Sequence, residues 1–185
     1  MDDVKFDVAI PDVLCFDNVA INLLTGEPFK VEKQHYITQH TKYNYVKSTK
    51  EQLDKMDVII NDIVPNDEHK KTYLSLMFSA LTGHHLEKFI MANGGGRNGK
   101  GLLNELLMAT LGDMYSYKGN ITTLTAKFKE GASQEKAMMH NKRFCVFNKP
   151  NDSDELQLGN IKTLTGDGTI NARQLYSKQL NAISH

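Results

Sequence analysis

A glycine-rich stretch, "MANGGGRNGKGLL" (residues 91–103), has residue types and spacing that suit phosphate chemistry. Its pattern Gly94-x4-Gly99-Lys100 fits the first seven positions of the phosphate-binding loop. Glycines are needed there because backbone N–H groups must turn inward around a phosphate, at φ values and distances that a side chain would block. Lys100 would reach the β- and γ-phosphates, and a following helix would add its positive N-terminal end. The stretch therefore predicts a nucleotide site, with Lys100 as its strongest candidate residue.

The eighth position of the pattern departs from the rule. Gly101 stands where a serine or threonine normally offers a hydroxyl to magnesium. A flexible loop with an exposed lysine is the alternative interpretation. The apolar run 89–92 before the loop predicts a short buried strand, and leucines at helical spacing after it predict a helix up to Gly112. The order strand, glycine loop and helix favours phosphate binding.

Bulk composition excludes several classes of protein. Among the 185 residues, 22 basic side chains balance 22 acidic ones, so any contact with DNA must be local. The two cysteines, Cys15 and Cys145, lie in apolar contexts, which predicts reduced core thiols and an intracellular setting. The start lacks the pattern of a signal peptide, and no run of about 18 apolar residues occurs, so we expect neither secretion nor a membrane span.

The first half of the chain has a β-hairpin pattern followed by helical patterns. Short apolar pieces separated by turn residues predict the hairpin over residues 13–29. Ser48 and Glu51 form a capping-box pattern ahead of a helix that Pro65 would end. The expected apolar face of this helix consists of Leu53, Met56, Ile60 and Ile63.

A second helix and an alternating region follow. Asn66 or Asp67 can cap this helix, which would end at Gly83. Its apolar residues, at positions i, i+3, i+4 and i+7, are Leu74, Met77, Phe78 and Leu81. Farther on, "RFCVF" (143–147) predicts a strand and "LQLGNIKTLTG" a short helix closed by Gly166. Strands that alternate with helices indicate an α/β core in this half.

Several segments together resemble one family. "NGGGRNGKGLLNELLMATLG" is similar to the Walker A region of superfamily 3 helicases, particularly the primase-helicase ATPases of large DNA viruses, phages and plasmids. "FDNVAINLLTGE" and "HYIT" resemble the family's strand region upstream of the ATPase. "IKTLTGDGTINARQLY" (161–176) resembles the segment after the Walker B strand. These ordered pieces extend over residues 16–176, which is most of the chain.

The resemblance implies an α/β fold with a P-loop NTPase core of AAA+-like type, incomplete at its C-terminus. This core would occupy residues 84–185, preceded by a small, mainly helical domain with a β-hairpin over residues 1–83. It also implies part of an ATP-dependent DNA helicase of viral or plasmid replication, with ATP and Mg²⁺ as cofactors. Single-stranded DNA and a homo-oligomeric, hexameric ring are the implied partners. No membrane is implied, and the location would be the host cytoplasm or nucleus.

Carried over residue by residue, the resemblance gives a nucleotide-binding set and one missing acid. The set comprises Gly94, Gly95, Gly96, Arg97, Asn98, Gly99, Lys100 and Gly101. Relatives end the "RFCVF" strand with Ser-Glu-Pro, but here Asn148-Lys149-Pro150 follows, and a protonated lysine accepts no proton from water. Hydrolysis is therefore doubtful, and no catalytic residue is predicted. Another acid could substitute only if its loop folds back toward the phosphates; the candidates are Asp152, Asp154 and Glu155.

Downstream, Lys162 and Arg173 match a segment that couples nucleotide state to DNA contact, so either could meet a backbone phosphate. The alternative is a helix-end lysine and a surface arginine. The family's sensor residue and arginine finger would follow beyond His185, so the chain is expected to be an incomplete part of such an enzyme. A non-catalytic remnant that serves as a nucleotide-binding or protein-interaction module is the second hypothesis.

Two other patterns are weaker. The histidines, among them His35, His40 and His84-His85, have no cysteine or carboxylate at zinc spacing, so no metal site is predicted. Tyr36, Tyr43 and Tyr45 lie among Lys42 and Lys47, a basic and aromatic stretch that suits either base stacking or a cover for a sheet edge. We favour the sheet-edge interpretation.

Overall fold

A computed structural model describes residues 10–84, 86–93, 95, 99–127, 134–151, 153–166, 170–172 and 181–183. The chain divides into two compact units. The first comprises Met1–His84 and Ala92–Tyr115, and the second His85–Met91 and Ser116–His185. The division predicted between residues 83 and 84 stays a prediction.

The first unit opens with a small antiparallel sheet, which confirms the predicted hairpin. Its strands β1 (Val13–Cys15), β2 (Ala20–Asn22) and β3 (Pro28–Phe29) are paired in chain order, with Leu14 opposite Ile21. Gly26, in the turn before β3, has φ +74°, a conformation that glycine adopts without steric cost. The buried residues of the sheet are Leu14, Cys15, Ala20 and Ile21.

After a 3₁₀ turn (Lys33–His35), helix α1 (Lys50–Ile63) begins one residue later than the capping pattern predicted. Its N-cap is Thr49, whose hydroxyl accepts from the Gln52 N–H (3.3 Å) while the Gln52 side chain accepts from the Thr49 N–H (2.9 Å). The predicted capping box of Ser48 and Glu51 was therefore wrong by one position. Thr49 and Gln52, each one residue later, offer the same hydrogen-bonding groups.

Helix α2 (Asp67–Thr82) has the predicted ends. The Asn66 side chain accepts from the His69 N–H at 2.9 Å, and Gly83 ends the helix with φ +74°. The predicted apolar faces are only partly correct, because Leu53 on α1 and Leu74 and Phe78 on α2 are exposed. The remaining members of these faces are partly buried: Met56, Ile60, Ile63, Met77 and Leu81.

Helix α3 (Lys100–Tyr115) supplies most of the deeply buried side chains of the first unit. Leu103, Leu107, Leu111 and Tyr115 recur every four residues and are almost fully buried, whereas Leu102, also predicted on this helix, is exposed. Gly112 interrupts the helical backbone with φ +70° and ψ +173°, so the predicted end of the helix is a kink.

Gly112 lies directly against the segment that follows the sheet. A Cβ on Gly112 would stand 2.7 Å from the Thr41 carbonyl oxygen. Thr41 is buried, and its N–H donates to the Cys15 carbonyl at 2.9 Å. The Tyr115 hydroxyl donates to the Gln39 carbonyl at 2.8 Å. Residues 39–41 thus connect strand β1 to the end of α3.

The second unit contains a parallel strand pair, as the α/β class requires. Strands β4 (Ser116–Gly119) and β5 (Phe144–Phe147) pair in parallel, with Ser116 opposite Phe144. A parallel pair needs a crossover connection, which here contains helices. The further elements of this unit are α4 (Thr122–Thr125), α5 (Gln134–Met138), α6 (Leu158–Thr165) and the antiparallel strands β6 (Ile170–Ala172) and β7 (Asn181–Ile183).

Helix α6 ends at Gly166, as predicted, and is fixed to α4 by two polar contacts. The Gln157 N–H donates to the Leu124 carbonyl at 2.8 Å, and the buried Asn160 side chain donates to the Ala126 carbonyl at 2.9 Å. Because a buried amide must be hydrogen-bonded, Asn160 fixes the position of α6 against α4.

Both cysteines are free thiols, as predicted. Cys15 is buried in the sheet, and burial raises the pKa of Cys145 to about 11. The Cys145 thiol therefore stays protonated near neutral pH.

The strand predicted at residues 89–92 is absent, and that prediction was wrong. Residues 86–93 have no regular structure, and Met91 has 68% of its surface exposed. A strand needs a neighbour for its N–H and C=O groups, and none of the segments described in the structure pairs with this one. Of the helices within the described ranges, none has the length and apolar character needed to cross a membrane.

We expect Gly112→Ala to destabilise the fold by about 2–4 kcal/mol, because it combines a left-handed backbone strain with a collision against Thr41. Unfolding in urea measures the loss. Gly26→Ala is the matched control: it has the same sign of φ, but its Cβ meets no described atom within 4 Å. Equal losses for the two variants would contradict the importance of the Thr41 contact.

Candidate phosphate-binding site

Within the described part of the glycine loop, Lys100 forms a hydrogen bond with Gly95. The Lys100 ammonium donates to the Gly95 carbonyl at 3.0 Å. Lys100 is also the first residue of α3, and the first hydrogen bond of this helix runs from the Leu103 N–H to the Gly99 carbonyl (3.2 Å). The lysine predicted to hold a phosphate therefore stands where a helix begins and reaches back across its own loop.

Gly99 is confined by two independent requirements. Its φ of +80° lies in the left-handed region that glycine adopts freely. A Cβ on Gly99 would also lie 2.7–3.0 Å from three carbon atoms of Ile63, the last residue of α1. The end of α1 thus lies against Gly99, and a side chain at position 99 would have to displace Ile63.

Gly95 and Gly101 have open space around them. A Cβ on either one would meet no described atom within 4 Å. At the start of a helix, the backbone N–H groups have no intrahelical acceptor and the helix dipole is positive, so an anion is favoured there. The first turn of α3 contains no acidic residue to oppose it. These features suit a phosphate group.

Magnesium has a poorer fit because Gly101 offers no hydroxyl. The open space at Gly101 would accept a larger side chain, but in this sequence water and phosphate oxygens would have to provide the ligands. The other members of the predicted set, Gly94, Gly96, Arg97 and Asn98, lie outside the described residues.

The resemblance predicts an acidic residue just after β5, at the position where this chain has Lys149. Lys149 is exposed there, between Asn148 and Pro150. Asp154 is engaged in a local turn, since its carboxylate accepts from the backbone N–H of Asn151 (2.8 Å) and from the side-chain amide of that residue (2.9 Å). Glu155 is exposed, and Asp152 lies outside the described residues.

Of the two residues predicted to contact DNA, only Lys162 lies in the described part of the chain. Lys162 is exposed on α6, and its carbonyl accepts the Gly166 N–H that ends the helix. Arg173 lies outside the described residues. The DNA contact proposed for Lys162 and Arg173 stays a prediction.

Two histidines form pairs with aspartates. His40 pairs with Asp17 at 2.5 Å, and His84 pairs with Asp12 at 2.9 Å. Within the described ranges, no group of three or more histidine, cysteine or acidic side chains stands close enough to hold a metal ion.

Tyr43 and Tyr45 pack against the residue that follows β1, and the sheet-edge role favoured for the tyrosines stays a prediction. Phe16, which follows β1, contacts Tyr43 and Tyr45 with ring centres 5.4 and 5.2 Å apart. The Asn18 side chain accepts from the Tyr45 N–H and donates to the Tyr45 carbonyl.

The sequence comparisons give a consistent class of relatives. A mimivirus protein (Acanthamoeba polyphaga mimivirus) named "putative helicase" is 34% identical over 145 residues, which are 76% of this chain and 15% of that protein. A protein of African swine fever virus named "putative primase" is 29% identical over 79% of this chain and 16% of its own length. A "putative helicase" of Frog virus 3 is 24% identical over 67% of this chain and 13% of its own length. No protein-family model matches the chain.

These relatives form one class, the putative helicases and primases of large DNA viruses. The chain belongs to this viral helicase-primase family. It spans about one sixth of the length of the mimivirus and African swine fever virus proteins that it matches.

We expect Gly99→Ala to lower the free energy of unfolding by about 2–3 kcal/mol and to displace the loop, because of its left-handed φ and the Ile63 contact. Gly95→Ala is the control, with an expected change within about 0.5 kcal/mol. In a double-mutant cycle, Ile63→Ala should offset part of the loss in Gly99→Ala. Strict additivity would show that the Ile63 contact does not constrain the loop.

Proposed function

We propose that residues Gly94–Gly101 bind the phosphates of ATP, in a chain that forms part of an ATP-dependent DNA helicase of primase-helicase type. The observation that carries this proposal is the position of Lys100. Its ammonium closes over the loop at Gly95, 3.0 Å from the carbonyl, at the beginning of α3. A nucleotide phosphate is the ligand that a lysine ammonium, open glycines and a helix start would bind together.

In this proposal each part of the loop has a defined role. The Lys100 ammonium exchanges the Gly95 carbonyl for the β- and γ-phosphate oxygens, which are stronger acceptors because they are charged. Backbone N–H groups at the start of α3 donate to the β-phosphate. Ile63 lies where a side chain at position 99 would stand, so glycine lets the backbone of residue 99 keep this position. Magnesium, bound through water and phosphate oxygens, would neutralise the triphosphate.

The activity of the complete protein is a second part of the proposal. The relatives are named as helicases and primases, which supports a role in the DNA replication of a virus or plasmid. In this part of the proposal, the complete protein has a P-loop core of superfamily 3 type and forms a hexameric ring. It moves along single-stranded DNA inside the infected cell. The parallel pair β4 and β5 supports the α/β core.

Hydrolysis requires a group that polarises water, and Lys149 does not supply it. This residue favours the alternative function, in which the chain is a non-catalytic remnant that binds nucleotide or another protein. The turn between Asn151 and Asp154 also engages one of the acids that could replace the missing one.

We expect the purified chain to bind ATP saturably in calorimetry and Lys100→Ala to weaken that binding by about 10- to 100-fold, the loss expected for a hydrogen bond to a charged group. Lys71→Ala, which removes an exposed lysine on α2, is the control and should bind as the natural chain does. Binding that is equal in all three proteins would exclude the loop as the phosphate site.

The catalytic alternative is tested by Lys149→Glu. If this position follows the strand as the acid does in helicases, glutamate should raise ATP turnover at least tenfold and make it dependent on magnesium. Phosphate release is measured with and without magnesium, and Lys149→Gln controls for the loss of charge alone. Equal turnover in the glutamate and glutamine variants would favour the non-catalytic function.

A further inference from the structure

A second charged surface lies away from the glycine loop in sequence. Residues 33–50, here called the tyrosine–lysine segment, contain four lysines, three tyrosines and no acidic residue. The whole chain has equal numbers of basic and acidic side chains, so this segment is a local concentration of positive charge. A local basic surface with aromatic residues is the usual composition of a site for single-stranded nucleic acid.

The aromatic and apolar side chains of this segment are accessible. Every residue from Lys42 to Lys50 is exposed, including Tyr43, Tyr45 and Val46. Tyr36, earlier in the segment, is 45% exposed. Large side chains that remain exposed next to lysines offer ring surface to a base and charge to a phosphate at the same time.

These rings are held in fixed positions. Tyr43 packs edge-on against Phe16, and its hydroxyl donates to the Thr110 carbonyl on α3 at 2.6 Å. Tyr45 packs against the same Phe16, while its backbone is held by two hydrogen bonds to Asn18. Because the rings are already ordered, stacking a base on them costs little conformational entropy.

The lysines of the segment are available to a ligand. Within the described residues, Lys42, Lys47 and Lys50 form no ion pair, in contrast to Lys55, which pairs with Glu51 at 2.7 Å. Asp17, whose backbone N–H donates to the Tyr43 carbonyl, has its carboxylate held by His40.

We propose that the tyrosine–lysine segment is a binding surface for single-stranded nucleic acid, with Tyr43 and Tyr45 stacking on bases and Lys42 and Lys47 contacting phosphates. The contacts with Phe16 are compatible with this proposal, because Tyr43 keeps 39% and Tyr45 keeps 37% of its surface exposed. The residues of this surface are distinct from Lys100 at the phosphate site and from Lys162 and Arg173, for which DNA contacts are predicted.

The test is fluorescence anisotropy with a labelled 20-nucleotide oligothymidylate, using the whole chain. We expect Tyr45→Ala to weaken binding by about tenfold and Tyr45→Phe to retain it, because phenylalanine still stacks. The double variant Lys42→Gln/Lys47→Gln should reduce the slope of log K against log salt concentration by about 1.4, or about 0.7 for each phosphate that a lysine no longer neutralises. Lys55→Gln, an exposed lysine on α1, should leave the slope unchanged.

Several outcomes would overturn the proposal: no binding at low salt, equal binding by the double lysine variant and the natural chain, or equal loss in Lys55→Gln. A matched duplex that binds as tightly as the single strand would also contradict stacking, and oligouridylate in place of oligothymidylate distinguishes RNA from DNA. Urea unfolding of each variant confirms its fold, and the lysine variants keep the test decisive if Tyr45→Ala is unstable. Lys100→Ala should bind the oligonucleotide normally, which separates this surface from the ATP site.

Discussion

The first unit depends on the close approach of Gly112 to the Thr41 carbonyl. Thr41 is bonded to strand β1 through Cys15, and Gly112 lies near the end of the helix that supplies four of the most deeply buried side chains. One backbone contact therefore fixes the sheet relative to α3. A side chain in the narrow gap between Gly112 and Thr41 would force the two elements apart, because packed interiors do not deform without cost. The glycine at position 112 is a packing requirement as well as a conformational one.

Sequence patterns predicted those features that local chemistry decides. Asn66 caps α2, and Gly83 and Gly166 end helices where they were expected, because capping needs only neighbours along the chain. The strand expected at residues 89–92 failed because a strand exists only if another segment pairs with it, and no periodicity reports that partner. Leu74 and Phe78 have the spacing of a buried face but are exposed, so helical spacing identified the helix better than its buried side.

For the candidate site, too, the sequence indicated some of the residues and missed others. Spacing alone identified Gly99 and Lys100, and the structure places Lys100 at the beginning of a helix with its ammonium over the loop. Ile63 was missed as a part of the site, since nothing in the sequence connects the last residue of α1 with a glycine 36 positions later. Its only signal was an apolar residue close to Pro65 at the end of a predicted helix. A contact such as that between Ile63 and Gly99 joins residues far apart in the sequence, so only the three-dimensional structure shows it.

Helix α3 makes a different contact at each end. Lys100 lies at its start, and about 15 Å farther along its axis the Thr110 carbonyl accepts the Tyr43 hydroxyl. An α-helix of this length is stiff, so a shift or rotation of the first turn is carried along it to Thr110. If a phosphate bound at the first turn displaces the helix, the Tyr43 ring moves with it, and thermodynamic linkage then requires that a ligand held by that ring change the phosphate affinity to the same degree. Helix α3 thus contributes its first residue to the proposed phosphate site and the Thr110 carbonyl to the proposed nucleic-acid surface.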